Sequence, residues 1–180
     1  MKQTPVQVIT RTGILLALMI AVQVFKNLSP WITGPLVNAI LVLGTLGAGI
    51  YSGVALSIVA PVTALLIVQQ PLMPLTGYTL IPVIMLGNLI YVVAVWLATR
   101  KNDAPDAPLA IGLIVGSVVK WLVMWALVAW VVIPTFAANL KPPMVAALQS
   151  TYAVLQIGAA ILGSVLAFLV WMPLRKALKK

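Results

Sequence analysis

The chain has 180 residues, 63% of them hydrophobic and only 7% charged, against roughly 45–50% apolar and about 25% charged in soluble domains. That much apolar surface cannot be kept from water by a soluble globule, so composition excludes one, along with disorder, a collagen repeat and a coiled coil, and implies an integral membrane protein forming one domain over residues 1–180. The net charge of +9 comes with no cysteine and no histidine, which excludes disulfides, thiolate nucleophiles, imidazole chemistry and Cys/His metal sites.

A hydrocarbon core of about 30 Å needs roughly 20 apolar residues per helix. Six such segments follow in order, at about 9–25, 35–48, 49–68, 80–99, 109–133 and 145–172. The first resembles a signal peptide, with Lys2 and Arg11 before an apolar run. No small-x-small cleavage site follows Phe25, so it is expected to be a retained helix. The second is short, and the uncharged turn LGAGIYSG joins it tightly to the third. The third ends at Gln69-Gln70-Pro71, the fourth at Arg100-Lys101, the fifth at Pro134 and the sixth before Pro173 and the tail RKALKK. The fold class expected is an all-α polytopic membrane bundle of six spans.

The basic residues sit at the ends of these segments, which reads as membrane topology, with no nucleic-acid partner implied. With both termini inside, Lys2, Arg11, Arg100, Lys101, Arg175, Lys176, Lys179 and Lys180 face the cytoplasm. Only Lys26 and Lys141 face outward. That asymmetry predicts cytoplasmic N and C termini in a cell membrane.

Acidic chemistry is equally restricted. Asp103 and Asp106 are the sole carboxylate side chains, both in the polar stretch KNDAPDAP, where a loop is expected. No apolar segment holds the carboxylate that an ion-coupled pump usually needs, nor the pair a glycoside hydrolase needs. No G-x-x-x-x-G-K-[ST] loop is present to hold ATP. Catalytic residues, metal ligands and cofactors are therefore not expected.

Lys120 stands out. It lies near the middle of the fifth segment, about 16 Å from its start at 1.5 Å per residue. A central lysine costs about 2.5–3.5 kcal/mol on insertion scales. It either snorkels to an interface, faces a wet cavity, or meets a counter-ion supplied by a ligand. Gly112, Gly116 and Lys120 share one helical face, and the glycines there serve close helix packing or leave room for a ligand. Trp121 and Trp125 on the neighbouring stripe can stack on a ring or simply pack. Gln149, Tyr152, Gln156 and Gly163 form a polar stripe on the sixth helix, and Asn88 and Tyr91 lie at similar depth on the fourth. Their convergence around one cation suggests a ligand pocket; the bland reading is a set of interhelical hydrogen bonds. The expected outer loops, among them KNLSPWITG with Asn27 and Trp31, suggest caps over an outer mouth or ordinary interfacial anchors.

In the first segment, TRTGILLALMIAVQVF, Gly13, Ala17 and Ala21 recur every four residues and form a flat strip that another helix can approach closely. This strip, the six spans, the inner basic tail, and the stretches GPLVNAILVLG, IPVIMLGN and SVVKW together resemble the substrate-binding S components of energy-coupling-factor (ECF) transporters. The resemblance implies capture of a vitamin or similar small metabolite from outside, with a transmembrane T component and two cytoplasmic ATPases as partners. It also implies docking on the T component through Gly13, Ala17 and Ala21. A stand-alone carrier or channel, a membrane enzyme and an assembly factor are the competing readings. The enzyme lacks buried acid–base groups, although a lone lysine can form a Schiff base.

Overall fold

The computed structural model describes residues 4–25, 29–67, 75–76, 78–100 and 106–178, and all regular structure among them is helical. Helix α1 spans Pro5–Val24, α2 Pro30–Ala48, α3 Ile50–Ile67 and α4 Leu80–Thr99. Helix α5 runs over Asp106–Phe136, widened by a π turn at Val128–Val132. Helix α6 begins as Pro142–Ser150, passes through a second π turn at Thr151–Leu155 and continues as Gln156–Leu178. All six are long and apolar enough to cross a membrane, and large apolar side chains such as Ile9, Ile14, Leu66, Ile111, Trp130 and Leu169 face outward from the bundle. The chain is built as a multi-pass membrane protein.

Local chemistry explains several helix ends. Thr4 and Gln7 form a reciprocal capping box at the start of α1, with Pro5 in the first turn. Ser29 and Pro30 start α2 in the same N-cap and N1 order. The second segment therefore begins five residues before the expected start at Pro35, which lies inside the helix. Its missing N–H falls in the second turn, where the loss of one bond to the Trp31 carbonyl is tolerated. Gly49, at φ 95°, is the single residue between α2 and α3. A side chain there would be strained, so this glycine makes the tight turn possible. The loop expected for Asp103 lies outside the described residues, and Asp106 is not in a loop. It opens α5, where its charge suits the helix N-terminus, and it pairs with Arg175 of α6 at 3.1 Å.

Helix α2 is the most enclosed span and touches α1, α3, α4 and α6, while α1 is the most peripheral. Helices α3 to α6 pack in sequence, each on the next where contacts are extensive: α3 on α4, α4 on α5, α5 on α6. Arg11 donates to the Gly47 carbonyl at 2.7 Å, Gly47 lies beside Trp171, and Arg175 meets Asp106. The starts of α1 and α5 and the ends of α2 and α6 thus share one end of the bundle, called here the basic end. Its core is built on Val42, Val95, Leu109, Leu113 and Trp171. The far end has a separate apolar core of Leu80, Val83, Val128, Val132, Leu148 and Tyr152.

Candidate functional site

Between these two apolar cores lies a layer of polar side chains. Lys120 is 3% exposed. Its Nζ donates to Asn38 Oδ1 at 2.6 Å and to Asn88 Oδ1 at 2.8 Å, and sits 5.4 Å from the centroid of the Tyr91 ring. These lengths are in the range of charge-assisted bonds. The Tyr91 hydroxyl and the Ser164 hydroxyl are 2.5 Å apart, and Ser164 and Ser117 are 2.9 Å apart. One network therefore joins α2, α4, α5 and α6. Two bonds from a charged donor, each worth roughly 1.5–3 kcal/mol, are large enough to offset the cost of about 2.5–3.5 kcal/mol for placing a lysine at the centre of a span. Lys120 does not need to snorkel.

Small residues make this layer possible. A Cβ on Gly87 would overlap the Met124 side chain, so Gly87 makes room for Met124, and the Lys120 stem would be in ordinary contact at 3.5 Å. A Cβ on Gly116 would lie 2.9 Å from the Tyr91 ring, and one on Gly112 2.7 Å from the Ala98 Cβ. The face shared by Gly112, Gly116 and Lys120 is buried against α4, and its two glycines serve close helix packing. A Cβ on Gly163 would lie 2.6 Å from both the Pro35 carbonyl oxygen and the Asn38 Cβ. That approach brings Ser164 into the network.

Among the described residues the charge at Lys120 is solvated but not neutralised. Its partners are two neutral amides and a ring face. Asp106 stands about 21 Å away along α5 at 1.5 Å per residue and is already paired with Arg175. The site is a buried cation held by dipoles.

The structure brings Lys120, Asn88 and Tyr91 together. The other sequence-derived candidates lie elsewhere. Trp121 Nε1 donates to the Ala153 carbonyl at 2.7 Å, inside the π turn of α6. It ties α5 to α6 at that level. Tyr152 is buried in the far-end core, Gln156 is half-buried, and Gln149 is exposed. The expected single stripe of Gln149, Tyr152, Gln156 and Gly163 is broken, because a π turn closes i to i+5 bonds and shifts the phase of everything after it. The α6 residue joined to the network is Ser164. Trp125 is partly exposed and meets Trp130 edge to face, 5.9 Å between centroids. Trp31 lies against Gly158, where a Cβ would approach its ring to 2.6 Å. Asn27 lies outside the described residues.

Asn38 and Ser164 were missed as site residues. Asn38 is the one amide in the apolar run of α2, and that signal was available. On α1, Gly13, Ala17 and Ala21 are all exposed, and a Cβ on Gly13 would meet nothing within 4 Å. The inward face of α1 is a different one. Thr12 donates to Ser52 at 2.9 Å, Met19 is fully buried, and Gln23 donates to the Ala60 carbonyl at 2.9 Å while accepting from Thr63 at 2.8 Å. The small-residue strip is thus unused by internal packing.

Comparison of the chain with models of known protein families, with curated proteins and with solved structures finds no match.

Proposed function

We propose that this chain is the membrane-embedded substrate-binding S component of an ECF-type importer for a vitamin or similar small, anionic metabolite. The observation that carries this reading is the buried ammonium of Lys120, whose partners among the described residues are all neutral. A cation stabilised by dipoles alone still attracts an anion in a low-dielectric interior. Its counter-charge is left to a ligand. In this structure Asn38 and Asn88 bond Lys120, and Tyr91, Ser117 and Ser164 bond one another; a ligand is oriented when part of this network re-pairs to it.

The basic end, with Arg11, Arg100, Arg175 and Lys176, faces the cytoplasm in this reading, following the positive-inside asymmetry. The far end then faces outward in a prokaryotic plasma membrane, and the apolar core of Val83, Val128 and Tyr152, closed in this structure, must open to admit the substrate. Both π turns contribute to that core, and π turns recur at functional sites. The chain acts as a transport subunit and not as an enzyme. ATP hydrolysis belongs to two cytoplasmic ATPases reached through a T component, which docks on Gly13, Ala17 and Ala21. The outward direction of that strip supports the docking assignment.

Gly13→Leu and Ala17→Leu are expected to lower recovery of the T component and ATPases with the affinity-purified full chain by about tenfold, roughly 1.4 kcal/mol of interface energy. Thermal stability and any co-purifying small molecule should be unchanged, since neither side chain would enter the core. Full recovery of the complex with both variants would contradict the docking face. Substrate uptake by liposomes holding this chain alone would replace the proposal with a stand-alone carrier.

A further inference from the structure

The chemistry around Lys120 Nζ is that of a cation cage. An ammonium group only donates, so the side-chain amides of Asn38 and Asn88 both present their oxygens to it, at 2.6 and 2.8 Å. The Tyr91 ring contributes its electron-rich face at 5.4 Å. The ring cannot turn away freely, because its hydroxyl is tied to Ser164, which is tied in turn to Ser117. Amide oxygens are the groups that replace the water shell of small cations. The cage carries no carboxylate, so it matches a single positive charge and not a divalent ion. Its walls come from α2 and α4, and its occupant arrives covalently from α5.

We infer that Asn38, Asn88 and Tyr91 form a site for a monovalent, ammonium-type cation, and that Lys120 fills this site with its own side chain. The lysine acts as a tethered ion. It holds α2, α4 and α5 together without drawing sodium or potassium from the medium, and it cannot dissociate during a transport cycle. Removing the stem leaves a vacancy whose walls suit a free alkylammonium ion. This inference stands apart from the transport reading, since it needs neither a substrate nor a partner chain.

The test uses the full-length Lys120→Ala chain in detergent, with thermal unfolding followed by intrinsic tryptophan fluorescence. Methylammonium chloride is the probe, and choline chloride, whose quaternary nitrogen has no N–H to give the amide oxygens, is the ionic-strength control. The Lys120→Ala midpoint is expected to rise saturably with methylammonium, by on the order of 3–6 °C near ten times the dissociation constant. Wild type should give the same curve in both salts, and Lys120→Ala with Asn88→Leu should lose the response. If Lys120→Ala unfolds in choline, the readout becomes recovery of monodisperse protein after purification in methylammonium, expected to exceed that in choline several-fold. Identical behaviour of Lys120→Ala in methylammonium and choline, by midpoint and by recovery, would overturn the assignment.

Discussion

Replacing Asn38 with leucine is expected to destabilise the bundle by about 2 kcal/mol, the loss of one hydrogen bond to a charged donor. Ordinary interhelical hydrogen bonds in membranes average only about 0.6 kcal/mol, because the unfolded chain finds other partners in the bilayer. Here the larger figure applies, since the donor is an ammonium buried to 3% exposure with no carboxylate beside it. Leucine shares the γ-branched shape and heavy-atom count of asparagine though it is bulkier, and Gly163 meets Asn38 through the Cβ, which both residues possess. Packing against α6 should therefore survive. In a Lys120→Met background the same exchange should cost less than about 0.6 kcal/mol, because the charge needing the amide is gone. Thermal unfolding of the four proteins, wild type, two singles and the double, measures the coupling. Simple additivity would show that Asn38 acts through packing and not through Lys120.

Gly163→Leu is expected to be more damaging still, at about 3 kcal/mol or above, the upper end of overpacking costs. The new Cβ would lie 2.6 Å from the Pro35 carbonyl oxygen. That atom belongs to the backbone of α2, which is held by α1, α3 and α4 as well as α6, so it cannot retreat alone. Helix α6 must move, and Ser164 then leaves Tyr91 and Ser117. Wild-type and variant midpoints within about 1 °C of each other would contradict the close approach of α2 and α6. Tryptophan emission of the refolded variant offers a second readout, since Trp171 is buried in the basic-end core.

The six spans were legible because apolar length alone identifies them, and Lys120 because a cation in such a run is costly wherever it points. The missing pieces were matters of depth and phase. Taking Pro35 as the start of α2 put Asn38 near a helix end. With the start at Pro30, Asn38 lies about 7.5 Å deeper, at 1.5 Å per residue, and reaches Lys120. Pro134 reads as the end of the fifth segment, yet the helix continues to Phe136. The preceding π turn, in which the Ile133 N–H bonds to the Val128 carbonyl, reorganises the ladder where proline lacks a donor. The second π turn shifts Gln156 and Gly163 out of phase with Gln149 and Tyr152, and nothing in the composition of TYAVL announces it. Gly13, Ala17 and Ala21 could be seen to share a face. Which way that face points depends on Thr12, Met19 and Gln23 finding partners on α2 and α3, and those contacts are between segments distant in sequence.

Lys120 is an enclosed positive charge that the described residues leave without an anion. Native mass spectrometry of the purified wild-type protein tests this most directly. The account predicts a bound small molecule, released on denaturation as an anion, present on wild type and on Gly13→Leu and absent from Lys120→Met. Wild-type protein carrying no adduct, or a Lys120→Met protein carrying the same one, would contradict it.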